Sequence, residues 1–231
     1  MRRIYGNVAK RRLCAGWGIA LDGKAVRSPG RRELLVPSEA LAAAIAGEWE
    51  AQHREIRPAT MPLTRLAATA IDCTGPERER IVADVAGYAG TDLVCYRADH
   101  PPALVARQQA MWQPLVDWAM LRYDAPLAVT SGVIPRAQPE ATLRALAAAV
   151  AAEDDFRLTA LSVATAAGGS LVIALALIEG RLDAAAAFAA SQLDESFQIE
   201  AWGEDAEAAE RRRALAAGIA AAARFLALLK A

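Results

Sequence analysis

Of 231 residues only two are histidine, three are cysteine and 6% are aromatic, so the residue types on which most chemistry is built are scarce. Cys14, Cys73 and Cys95 cannot all pair within one chain, form no C-x-x-C arrangement and lie at metal-ligand spacing from no histidine. They read as reduced, buried thiols of a reducing compartment, with no metal expected. His53, in Gln-His-Arg, and His100, in Asp-His-Pro-Pro, have no neighbour that suggests a nucleophile. No G-x-S-x-G elbow and no G-x-x-x-x-G-K-[ST] phosphate cradle is present, and Gly16-Trp17-Gly18 lacks the third glycine and following helix of a dinucleotide loop. Neither a catalytic group nor a cofactor is expected. Net charge is also lacking: 26 Lys and Arg against 27 Asp and Glu leave -1, which gives no bulk reason to bind nucleic acid or anionic lipid. The longest uncharged stretch, Thr159 to Ile178, approaches spanning length, but Thr159, Ser162, Thr165 and Ser170 dilute it and Gly168-Gly169 divides it. A buried pair of helices is expected there, not membrane insertion. The first residues lack the apolar core of a secretory signal; although Arg-rich, they run into a strand pattern, so a cytoplasmic protein is expected.

What the chain has is alanine, and 55% hydrophobic residues with few aromatics predict mostly helix. The first part differs. Short strands are expected at Arg3 to Val8, Arg12 to Ala15, Gly18 to Leu21 and Glu33 to Val36, with Asp22-Gly23 as a type I′ hairpin turn. Ser38 then caps a helix whose Leu41, Ile45 and Trp49 share one stripe, ending near His53. Arg57-Pro58 and Met61-Pro62 interrupt the pattern, placing a boundary between residues 1–58 and 59–231. Beyond it helices are expected at Leu63 to Ile71, Glu77 to Tyr88, Pro102 to Arg122, Glu140 to Glu153, Phe156 to Ala166, Ser170 to Ile178, Leu182 to Trp202 and Asp205 to Leu229, with Pro114 kinking or splitting the third. The fold class is therefore α+β in two domains: a small N-terminal antiparallel β-rich domain, then a larger all-α bundle.

Charge is sorted along this plan. Met1 to Pro37 carries Arg2, Arg3, Lys10, Arg11, Arg12, Lys24, Arg27, Arg31 and Arg32 against Asp22 and Glu33. Ser191 to Glu210 carries Asp194, Glu195, Glu200, Glu204, Asp205, Glu207 and Glu210 with no Lys or Arg. That run is either a solvated helix face or an acidic surface for a partner. Within it Asp194, Gln198 and Trp202 follow at four-residue spacing beside an apolar stripe of Leu193, Phe197 and Ala201. Trp202 reads either as part of a recognition surface or as a lid on the bundle capped by Gly203. Trp112 and Trp118, on a helix with Leu104, Met111 and Leu115, read as core.

Several runs carry a resemblance. They are Gly23 to Pro29 (GKAVRSP), Leu41 to Gln52 (LAAAIAGEWEAQ), Thr60 to Leu66 (TMPLTRL) with Ala70-Ile71-Asp72, Thr91 to Ala98 (TDLVCYRA), and Leu193 to Gln198 (LDESFQ) with Trp202-Gly203. In this order they resemble the ATP synthase assembly chaperones of the Atp-twelve type across nearly the whole chain. The resemblance implies no catalysis and a single protein partner, the unassembled alpha subunit of the catalytic sector, whose interface the chaperone would shield until the beta subunit replaces it. It also implies a functionally important acid in the late acidic run, at Glu195 with Asp194 beside it. Gln198, Trp202 and Glu204 complete the expected partner-binding set, and a monomer is expected. Where family members often carry an acid before the Thr-Asp-Leu run this chain has Gly90. Two other readings stand beside this one: an enzyme using His100 and Asp92 in an interdomain cleft, and a general protein-binding adaptor.

Overall fold

A computed structural model describes residues 2–132 and 136–230. It is α+β, an N-terminal antiparallel sheet followed by helices, and it divides into two compact units. The first comprises Met1–Arg78, Asp155–Ala160 and Arg224–Ala231; the second comprises Glu79–Asp154 and Leu161–Ala223. The expected domain boundary between residues 1–58 and 59–231 stands as a proposal beside this division.

In the first unit strands β1 (Val8–Leu13) and β2 (Gly16–Leu21) form a hairpin, and β2 also pairs with β3 (Lys24–Ala25) and β4 (Leu35–Val36). Asp22 and Gly23 both take positive φ, as the expected turn requires, and the Asp22 carboxylate accepts from the Gly6 and Asn7 N–H groups. The strand expected at Arg3 to Val8 instead starts at Val8 and runs through the basic residues Lys10, Arg11 and Arg12. β1 is an edge strand paired on one side only, so charges fit where alternation would predict a break. Helix α1 (Glu39–Glu50) packs Leu41, Ala42 and Ile45 toward this sheet, with Ser38 Oγ accepting from Leu41 N at 3.1 Å as its cap.

Helix α2 (Pro62–Thr69) begins with proline and has no local cap. Glu48 of α1 supplies one: its carboxylate accepts from Leu63 N and Thr64 N at 2.8 Å each and from Thr64 Oγ1 at 2.7 Å. After α2 a single π turn, Ala70–Thr74, points Asp72 at the loop before β4. Asp72 accepts from Ser28 Oγ and Gly30 N at 2.7 Å each, and a Cβ on Gly30 would stand 2.6 Å from its Oδ1. The runs GKAVRSP, GEWEAQ and TMPLTRL are thus tied to one another by two carboxylates.

The second unit is built around α7 (Leu171–Ile178), every residue of which is buried. α6 (Asp155–Gly168) precedes it, and Gly169, at φ 63°, makes the expected break between them. No helix of the described residues is long and apolar enough to cross a membrane. Helix α3 (Arg78–Gly87) leads to the run Thr91 to Ala98, after which come α4 (Pro102–Tyr123), α5 (Glu140–Ala151), α8 (Ala184–Ser191), α9 (Leu193–Trp202) and α10 (Ala206–Lys230). A short parallel pair, β5 (Tyr96–Arg97) with β6 (Thr130–Ser131), was not expected in a helical region.

Two helix expectations change. Pro114 does not split α4; the proline and Ala110, the residue whose carbonyl loses its ladder donor, are both exposed, where water can bond the freed oxygen. The helix expected from Leu182 to Trp202 is broken at Gln192 into α8 and α9. Trp112 Nε1, fully buried on α4, donates to the Ala190 carbonyl at 2.8 Å, taking the acceptor that the Asp194 N–H would use in a continuous helix. Ser191 Oγ bonds back to the Phe188 carbonyl at the same turn.

Candidate functional site

Helix α9 is held by three sets of contacts, and these decide which of its residues remain available. On its inner face Leu193 is buried and Asp194 Oδ1 accepts from Gln108 Nε2 at 2.8 Å. Gln108 is 1% exposed, and its Oε1 also accepts from Ala98 N at 2.8 Å. The Gln108 carbonyl receives Arg97 Nη1 at 3.0 Å, and that guanidinium lies 5.4 Å from the Trp112 ring centroid. Burial lowers the Arg97 pKa from its ordinary value while the negative charges of Asp117 and Asp194 oppose the drop. On a second side Arg107 pairs with Glu200 at 2.8 Å and lies over Phe197. On a third Arg212 pairs with Glu204 at 3.1 Å, donates to Ser196 Oγ and lies over Phe188.

Asp194 and Glu204 therefore direct their carboxylates into the second unit. Glu195, Gln198 and Trp202, spaced i, i+3 and i+7, share the opposite face. Glu195 is half-buried and has neither hydrogen bond nor ion pair among the described residues; Gln198 is exposed. Trp202 is 82% exposed, so it is not a lid on the bundle, and Gly203 ends the helix at φ 83° with its N–H on the Ile199 carbonyl. The structure thus brings together three of the five expected residues as one open face and separates Asp194 and Glu204 from it.

Beside α9 runs a groove of about 580 Å³ whose lining includes Arg107, Ala110, Met111, Ala189 and Leu193. Met111 is exposed there, and Met120 and Leu121 are exposed farther along α4. An apolar trough with a charged rim is what a protein partner's side chains enter. Arg107 escaped the sequence reading, and Met111, grouped there with the core residues of its helix, is exposed instead, because α4 has apolar residues on every face and so gives no periodic signal for the open one.

Asp92 and His100 do not form a site. Asp92 is fully buried, accepts from Ser170 Oγ, Val172 N and Val94 N, and so caps α7; His100 has an 86% exposed side chain and pairs with Asp99. Burial pushes the Asp92 carboxyl up to about 6 against these three donors, and burial with the Asp92 charge pushes the Cys95 thiol up to about 12. That thiol is buried and protonated, which suits packing and not nucleophilic attack; Cys14 and Cys73, expected to be buried as well, are exposed, one in the turn after β1 and one in the π turn after α2. Among the described residues no group of three or more His, Cys, Asp or Glu is placed to hold a metal ion.

Three comparisons bear on these observations. A family model described as ATP12 chaperone protein matches residues 2–120. Protein atp12, mitochondrial, of Schizosaccharomyces pombe is 25% identical over 219 residues, covering 89% of this chain and 75% of the yeast protein. Atp12 from Paracoccus denitrificans, known from a crystal structure, is 44% identical with a TM-score of 0.95 over 99% of this chain and 98% of that one. A structure of an Asp-to-Lys variant of the Paracoccus protein is equally similar, with a TM-score of 0.95 and 44% identity over 99% of this chain and 97% of that one.

Proposed function

The chain belongs to the ATP12 chaperone family, non-enzymatic factors of ATP synthase assembly, and we propose that this member holds the unassembled alpha subunit of the catalytic sector through the open face of α9 until the beta subunit takes its place. The observation that carries the reading is Trp202, 82% exposed on a face with the unpaired Glu195 and the exposed Gln198. Exposed tryptophan costs solvation unless a partner covers it, and tryptophan is among the residues that contribute most at protein interfaces. Glu195 adds a half-desolvated carboxylate that a basic group of the partner would complete. Asp194 and Glu204 serve this surface indirectly, by locking α9 onto α4 and α10, while the groove beside Met111, lined by Leu193 and Glu200, lies on the other side of α9. An isolated alpha subunit exposes apolar surface meant for its neighbour, and covering it is the physical task such a chaperone performs. The work takes place where the sector is assembled, in the bacterial cytoplasm or the mitochondrial matrix.

The test is a pull-down of the purified chain against separately produced alpha and beta subunits, followed by addition of the absent subunit. Alpha alone is captured and is released by beta. Glu195→Lys weakens that capture at least about tenfold, roughly 1.4 kcal/mol, while helicity and melting are unchanged. Equal capture by the folded variant removes Glu195 from the surface, and capture of neither subunit removes the function.

A further inference from the structure

The first unit holds a second feature that the alpha-subunit reading does not use. A cavity of about 450 Å³ opens between the loop joining β3 to β4 and α2, walled by Leu34, Trp49, Ile56 and Met61, with the exposed Arg27 and Arg65 in its lining. The Arg65 guanidinium has no hydrogen bond and no ion pair among the described residues. The pocket therefore combines apolar walls with exposed positive charge, and it fits a bulky apolar side chain flanked by carboxylates.

The same chain presents that chemistry in its second unit. Trp202 projects at the end of α9 on the face of the unpaired Glu195, and Asp205 and Glu207 follow it, in a stretch with no Lys or Arg; Glu200 and Glu204 are already paired with Arg107 and Arg212. Being 82% exposed, it does not occupy its own chain's cavity. We propose that Trp202 of one copy enters the Arg27–Arg65 cavity of a second copy, a heterologous contact by which the chaperone covers its own recognition tryptophan when no alpha subunit is present. Only that purpose rests on the function proposed above; the contact itself rests on the cavity and the acidic tryptophan. One indole and its rim bury far less than the roughly 1,200 Å² of a stable complex, so the contact is transient, with a Kd on the order of 100 µM and a marked loss at high salt. Dilute protein is monomeric.

Sedimentation of the chain alone over a concentration series tests this without any client. Wild type self-associates; Trp202→Ala and Arg65→Glu, both at exposed positions, each weaken association at least about tenfold. The decisive step is mixing. Trp202→Ala keeps an intact cavity and Arg65→Glu keeps an intact tryptophan, so an equimolar mixture forms a heterodimer that neither variant forms alone. A monomeric wild type, self-association unchanged by Trp202→Ala, or a mixture that stays monomeric overturns the proposal. So does loss of alpha-subunit capture in Arg65→Glu with self-association intact, which would give the cavity to the client. Failure of alpha-subunit capture by the wild type, with the mixing result as expected, would instead overturn the proposed function and leave this contact standing.

Discussion

Asp92 has no access to water, and two opposed effects set its ionisation. Burial favours the neutral acid and raises its pKa from 3.8 to about 6, while the Ser170 hydroxyl and the N–H groups of Val172 and Val94 favour the anion and limit the rise. In the unfolded chain the group returns to 3.8. Between the two values the folded protein holds a proton that the unfolded chain has released. The stability this group contributes is complete below about pH 4 and is lost as pH rises through about 6. The whole difference corresponds to about 3 kcal/mol, of which about 2 kcal/mol falls between about pH 4.5 and pH 7. Asp92→Asn keeps the shape and does not titrate, and the surface carboxylates common to both proteins cancel when the two are compared. In urea unfolding at a series of pH values, the stability of wild type relative to Asp92→Asn should fall by about 2 kcal/mol over that range. A difference that is flat, or that grows with pH, would show that the three donors outweigh burial and that the carboxylate is charged in the folded state even in acid.

Other consequences are structural. Gln108→Leu removes the partner of both Ala98 N and Asp194 Oδ1 in a buried site. It should cost about 2–4 kcal/mol by chemical unfolding and loosen α9, read as faster amide exchange in Leu193 to Trp202. Gly30→Ala sets a Cβ 2.6 Å from Asp72 Oδ1, so the carboxylate must leave Ser28 and Gly30. A loss of about 2 kcal/mol is expected by thermal unfolding, and a neutral result would mean the loop shifts freely.

Signals that act within a few residues were legible in the sequence. Ser38 caps α1 and Ser170 caps α7 through the third residue on, Asp22-Gly23 makes its turn alone, and Gly169 ends α6 because its own backbone permits positive φ. The alternation from short strands to alanine-rich helices carried the fold class for the same reason. The resemblance runs were legible as runs, but their physical meaning was not: Glu48, Asp72 and Asp92 each accept from groups 15 to 80 residues away. A sequence window holds no information about which distant N–H groups will be orphaned beside them.

The break at Gln192 belongs to the same class, since it depends on the Trp112 indole, 78 residues earlier, reaching the Ala190 carbonyl. The candidate surface shows the division most sharply. Asp194 and Glu195 are adjacent acids in one helix, and helical periodicity places them about 100° apart without saying which faces inward. Sequence alone determined that an acidic, tryptophan-bearing helix would be present. Only the tertiary structure decided that Asp194 turns to Gln108 while Glu195, Gln198 and Trp202 stay open, because the inward face is chosen by the side chains of α4 and α10 that meet it.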